Sequence, residues 1–123
     1  MIYLDTNALI RFFTKDERKK ALLVAELLKK EKKITIPEAI FPELEYVLTQ
    51  IYKAKREKII SVFEFLISRP NIKLGQAVKE AVRLFKSTKL DIADCLIASH
   101  SQRGKLASFE QQLLSLKGVK KYW

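Results

Sequence analysis

The chain has 123 residues, 48% of them hydrophobic, enough to bury the core of one ordinary domain without disulfide support. Cys95 is the only cysteine, which excludes an intrachain disulfide, a Cys-x-x-Cys pair and a Cys/His zinc set. Lysine and arginine total 24 against 14 acids, a net charge of +10 that attracts phosphate backbones, although mixed runs such as Lys29-Lys30-Glu31-Lys32-Lys33 read equally well as solvated helix ends.

Ile2-Tyr3-Leu4 is a short apolar run ending at Asp5, as expected of a buried strand that presents the aspartate at its C-terminal end. Residues 8–13 follow as a short helix. Thr14 and Glu17 have capping-box spacing, and Ala21, Leu22, Val24, Ala25 and Leu28 continue at helical spacing into the lysine run. Ile34-Thr35-Ile36 is a second strand stopped by Pro37, and a helix follows to about Tyr52, with Pro42 tolerable in its first turn. Residues 56–67 form an amphipathic helix, 71–73 a third strand, and 75–87 a further helix along Ala77, Val78, Ala81, Val82 and Phe85. A helix over 91–102 precedes Gly104; then come a strand over 106–109, a short helix over 110–116 and a last strand over 119–122.

Short strands alternating with helices predict an α/β layered fold with a mostly parallel sheet flanked by helices, whose ligands gather at the strands' C-terminal ends. With three Gly and three Pro, none clustered, and no internal repeat, a single domain over 1–123 is expected. The most apolar stretch, 59–67, is short and interrupted by Glu64, and Asp5 falls too early for a signal-peptide core. A soluble, cytoplasmic protein that does not cross a membrane is therefore expected.

The carboxylates carry the chemistry. Asp5 and Asn7 sit where the first strand hands over to a helix, although Asp5-Thr6-Asn7 taken alone reads first as a helix cap. In the helix over 91–102, apolar residues surround the axis, so it is expected to be buried, and Asp94 shares a face with Asp91, Ala98 and Ser101. A carboxylate there needs a partner: either a salt bridge to a lysine, or a cation that also relieves repulsion between the two aspartates. Helical phase selects Glu43, bordering the stripe Ile40, Leu44, Val47, Leu48 and Ile51, over Glu45, nearly opposite, though a rim residue has the same phase. Glu110 follows an apolar run and reads as a ligand or as a first-turn acid complementing a helix N-terminus.

Hard oxygen donors without a histidine or cysteine set favour Mg²⁺ or Mn²⁺ over zinc, and such ions suit phosphodiester hydrolysis. Arg11, close after Asp5, is the first choice for a phosphate contact, with a solvated helix face as the alternative. His100 lies on a different face from Asp94, Cys95 packs in the core, and Trp123 is read as packing or an interface.

Taken in order, Leu4-Asp5-Thr6-Asn7, Glu43-Leu44, Asp91-x-x-Asp94-Cys95-Leu96-Ile97-Ala98 and Leu106-Ala107-Ser108-Phe109-Glu110 resemble the PIN-domain ribonucleases, and especially the VapC-type toxins of toxin–antitoxin pairs. The resemblance implies a PIN-like three-layer fold and endoribonuclease activity with Mg²⁺, or Mn²⁺ as a substitute. It implies Asp5, Glu43 and Asp94 as core metal-binding acids, Thr6 and Asn7 supporting the first, and Asp91 as an additional acid one turn earlier. The family's last motif resembles Thr-x-Asp, so Ser108 takes the hydroxyl role and Glu110 the acid role. That departure bears on a second metal position, because one extra methylene shifts a ligand by more than the roughly half-ångström tolerance of a preorganised site. A homodimer and an antitoxin partner are implied as well. Two other readings stay open: a housekeeping RNA-processing nuclease of the same fold, and a catalytically inactive RNA-binding module.

Overall fold

Parallel strands cannot be joined by a hairpin, so each pairing in this chain comes with a helical crossover. In a computed structural model describing residues 1–123, the chain divides into two compact units, Met1–Leu74 and Gly75–Trp123.

The first unit runs β1 (Ile2–Tyr3), α1 (Thr6–Thr14), α2 (Arg18–Lys30), β2 (Ile34–Thr35), α3 (Ile40–Gln50), α4 (Arg56–Ser68) and β3 (Ile72–Lys73). The strands form one parallel sheet in the order β1-β2-β3, with Ile2 opposite Ile34 and Ile34 opposite Ile72. Each strand is shorter than the segment that predicts it, because the chain turns into a helix or loop once two residues have been laddered. Leu4 N–H still donates to the Thr35 carbonyl (3.1 Å), which fixes where β1 ends and Asp5 begins. Phe41, Phe63, Leu9, Leu44 and Ile34 are fully buried, and the Phe41 and Phe63 rings lie 5.3 Å apart. The last carbonyls of α2 are closed by side chains: Asn71 Nδ2 donates to Leu28 and Glu31 (both 2.8 Å), and Arg69 Nη2 to Leu28 (2.9 Å).

The expected capping box at Thr14 does not form. Thr14 is the last residue of α1, its hydroxyl turned back on the Ile10 carbonyl (2.7 Å), and Glu17 is the N-cap of α2 without a side-chain cap bond. Lys15 ends α1 in the left-handed region at φ 57°, a conformation glycine usually supplies.

The second unit comprises α5 (Gln76–Ser87), α6 (Ile92–Ser101) and the short α7 (Gln111–Leu114). Helix α5 packs on α6, with Ser99 Oγ donating to the Ala77 carbonyl (2.8 Å). The two strands expected over 106–109 and 119–122 reduce to one parallel bridge, Leu106 with Lys121, held by Leu106 N–H to the Lys120 carbonyl (2.7 Å) and Tyr122 N–H to the Leu106 carbonyl (2.9 Å). Helix α6 is not buried on every side as its composition suggests. Ile92, Cys95, Leu96, Ala98 and Ser99 are buried, but Ala93, Ile97 and His100 face solvent. The alternation of strands and helices is that of an α/β fold with a parallel sheet. No helix is long and apolar enough to cross a membrane.

Candidate functional site

Asp5 stands exposed where β1 ends. It caps α1: Oδ1 accepts the Ala8 backbone N–H at 2.9 Å while the Asp5 carbonyl accepts Leu9 N–H, the first helical bond. One carboxylate oxygen is thus engaged by the helix, and the cap aims the residue out of the sheet. Thr6, the first residue of α1, donates its hydroxyl to Glu43 Oε1, tying the start of α1 to the first turn of α3. Asn7 is exposed beside them. A cavity of about 750 Å³ opens here, with Thr6, Asn7 and Glu43 on its polar edge and Tyr46, Val47 and Ile51 along its apolar wall. Glu45, set aside by helical phase, is half-buried, whereas Glu43 is exposed.

Arg11 also lines that cavity, but its guanidinium is committed within the chain. Nη1 meets Glu17 Oε2 (2.5 Å) and Asp16 Oδ1 (3.0 Å), Nη2 donates to the Tyr52 hydroxyl (3.1 Å), and the side chain is only 16% exposed. Tyr52 in turn donates to Asp16 Oδ2 (2.9 Å). These bonds leave Asp16 and Glu17 below their ordinary pKa values, chiefly through the Tyr52 hydroxyl for Asp16 and Lys20 for Glu17. Arg11 therefore closes the α1–α2 turn, and presenting it to a phosphate means giving up three partners.

In the second unit, Asp91 is not inside the helix with Asp94 but is its N-cap, with Oδ1 accepting the Asp94 backbone N–H at 2.8 Å. The Asp94 side chain is half-buried, and its pKa is raised above the ordinary 3.8, first by burial and then by the charges of Asp91 and Glu110. Glu110 is the N-cap residue of α7 and makes no side-chain cap bond; its own backbone N–H donates to Ser108 Oγ (3.0 Å), which shapes the turn. Cys95 is fully buried and free of disulfide.

Ion pairs in the chain engage Asp16, Glu17 and Glu80, with Arg11, Lys20 and Arg83 as partners. Asp5, Glu43, Asp91, Asp94 and Glu110 belong to none of them, although the chain carries 24 cationic residues. The salt bridge that would have given Asp94 a purely structural role is thus not made. The fit of a cation follows from this donor chemistry: Asp94 with Asp91 and Glu110 is an all-oxygen set of uncompensated negative charge, suited to a hard divalent ion. Within neither unit do three such side chains already stand together as a closed ligand cluster.

The sequence left unmarked the Arg11–Asp16–Tyr52 network and an exposed aromatic cluster of Phe109, Tyr122 and Trp123. The only sequence signal for the first is the spacing of Arg11 from Asp16 and Glu17; the second joins segments whose pairing only the backbone bridge reveals.

Residues 2–114 match the PIN domain family model, and the chain belongs to the PIN-domain family, in its VapC-type branch. Among curated relatives, a VapC ribonuclease of Aquifex aeolicus (strain VF5) is 33% identical over 101 residues, covering 78% of this chain and 75% of that protein. No solved structure matches.

Proposed function

We propose that this chain is a metal-dependent endoribonuclease that hydrolyses RNA phosphodiester bonds and acts as the toxin of a toxin–antitoxin pair. The observation that carries the reading is that Asp5, Glu43, Asp91, Asp94 and Glu110 all stay outside the ion pairs of a protein of net charge +10. Membership of the PIN-domain family and likeness to a relative named a VapC ribonuclease support it.

In this reading Asp5 and Glu43 of the first unit, and Asp94, Asp91 and Glu110 of the second, are metal-binding acids. When bound, Mg²⁺, or Mn²⁺ in its place, supplies an activated water and neutralises charge on the phosphate oxygens. The chain's own residues prepare for this. Asp5 keeps one carboxylate oxygen for the helix and one for the site; Thr6 orients Glu43 through its hydroxyl, with Asn7 beside it; Ser108 sets the turn that presents Glu110. Hydrolysis adds water across the phosphorus–O3′ bond, leaving a 3′-hydroxyl and a 5′-phosphate. Exposed lysines supply the phosphate contacts in place of Arg11, whose guanidinium is held by Asp16, Glu17 and Tyr52.

As a toxin, the protein works in the cytoplasm as a homodimer and is held silent by an antitoxin. The test is cleavage of a broad RNA pool by wild type and Asp5→Asn with Mg²⁺ or Mn²⁺, together with growth arrest on expression. Metal-dependent cleavage by wild type alone, with arrest, is the expected result. Cleavage without arrest points to a processing nuclease, and metal-independent RNA binding with no cleavage points to an inactive module; either outcome overturns the toxin reading.

A further inference from the structure

Next to Glu110 the second unit exposes an aromatic cluster that packing does not explain. Phe109 is 84% exposed and stacks on Trp123, 68% exposed, with ring centroids 4.8 Å apart and planes 11° from parallel. Tyr122, 62% exposed, meets Trp123 edge-on at 5.4 Å and 89°. Burying large rings is a principal source of folding free energy, so three of them held in a fixed mutual geometry in water stand out. The bridge between Leu106 and Lys121 creates that geometry by laying the segment before Phe109 alongside the segment before Trp123.

The surroundings select the occupant. Arg103, Lys105, Lys117, Lys120 and Lys121 are all exposed in the same stretch of chain, where Glu110 is the only acid. Flat π-faces interleaved with cations form the combination that holds unpaired nucleic acid, with bases stacking on the rings and phosphates meeting the cations. A protein partner with an apolar face would gain nothing from the five positive charges.

We propose that Phe109, Trp123 and Tyr122 form a stacking platform for unpaired bases of the RNA substrate, placing a single-stranded segment beside Glu110. This rests on the ribonuclease reading and names the surface that holds the unpaired segment. Phe109 sits between Ser108 and Glu110, so a base on its outer face brings the adjoining backbone to the acid.

Trp123 is the only tryptophan, so emission excited beyond the tyrosine absorption band reports on the platform. In the presence of EDTA, which separates binding from cleavage, a short labelled single-stranded oligoribonucleotide is titrated into the full chain, and the same RNA as a perfect duplex serves as the comparison. The single strand is expected to quench Trp123 emission and the duplex is not. By anisotropy, Phe109→Ala and Trp123→Ala each weaken single-strand binding about 5- to 100-fold, while Trp123→Phe restores most of it. Binding with unchanged emission, or alanine variants that bind like wild type, overturns the platform. So does an emission change that follows protein concentration rather than RNA, since the patch is then an interface between copies. A wild type that still cleaves RNA with magnesium in any of these cases leaves the ribonuclease reading intact, whereas a platform that quenches in a protein that cleaves nothing removes only that reading.

Discussion

The Asp91 carboxylate accepts the Asp94 backbone N–H at 2.8 Å, while the Asp91 charge helps raise the pKa of the Asp94 side chain. One residue thus stabilises the start of α6 and burdens the acid that follows it. The two effects separate by substitution. Asp91→Asn keeps a good N-cap but removes the charge, so thermal stability is expected to hold while Mn²⁺ affinity falls, about 10-fold or more. Asp91→Ala loses both, with a cost of about 1 kcal/mol in urea unfolding. Equal destabilisation by both variants would show that the charge, not the cap, matters to the fold.

Asp94 gives the chain a pH dependence of definite sign. Its folded-state pKa is raised, so the native state binds more protons than the unfolded chain, and metal-free stability declines as pH rises from the ordinary 3.8 through the raised value. Asp94→Asn is therefore expected to raise the melting temperature of the metal-free protein by a few degrees at neutral pH and to have no such effect at the acid end. With Mg²⁺ the order reverses, because the metal needs the ionised form. Calorimetry with and without magnesium checks this; a variant that melts below wild type in EDTA at neutral pH would contradict it.

Tyr52 ties Arg11 to Asp16 and so braces the turn between α1 and α2. Asp16 is held below its ordinary pKa, chiefly by this hydroxyl and then by Thr14, so its contribution is present above pH 3.8 and is lost as pH falls through the depressed value. Tyr52→Phe is expected to lower the melting temperature at neutral pH and to make the acid-unfolding midpoint less acid-resistant, with the difference from wild type vanishing at the most acidic pH. A constant difference at every pH would mean that the ring, not the hydroxyl, was being measured.

Lys15 ends α1 at φ 57°, where a Cβ is disfavoured. Lys15→Gly is expected to stabilise the protein by about 0.5–1 kcal/mol in urea unfolding, with cleavage unchanged. Destabilisation would show that the lysine side chain contributes more than its backbone strain costs.

The elements with strong periodicity were legible before any coordinates. The helices around Leu28, Val62 and Phe85 and the strand positions at Ile2, Ile34 and Ile72 follow from apolar spacing, which packing only confirms. The boundaries were less so, because they depend on local hydrogen bonds: Thr14 chose the Ile10 carbonyl over a capping role, and Asp91 stepped out of the helix to cap it. Residue type and order nominate the candidate acids, but charge alone does not separate Asp94, which makes no ion pair, from Asp16, which makes one. For Arg11 the sequence shows a cation near Asp5 but not the two acids and the tyrosine that engage it. Ring stacking between Phe109 and Trp123 depends on a bridge of one residue pair, too small a signal for any pattern.

Whether the uncompensated carboxylates serve metal-dependent ribonuclease chemistry is read from RNA cleavage by wild type and Asp94→Asn across a magnesium titration. Cleavage by wild type is expected to rise with magnesium, to be abolished by EDTA, and to fall about 100-fold or more in Asp94→Asn at every concentration. Equal cleavage by the two proteins, or cleavage by wild type that survives EDTA, would contradict that role.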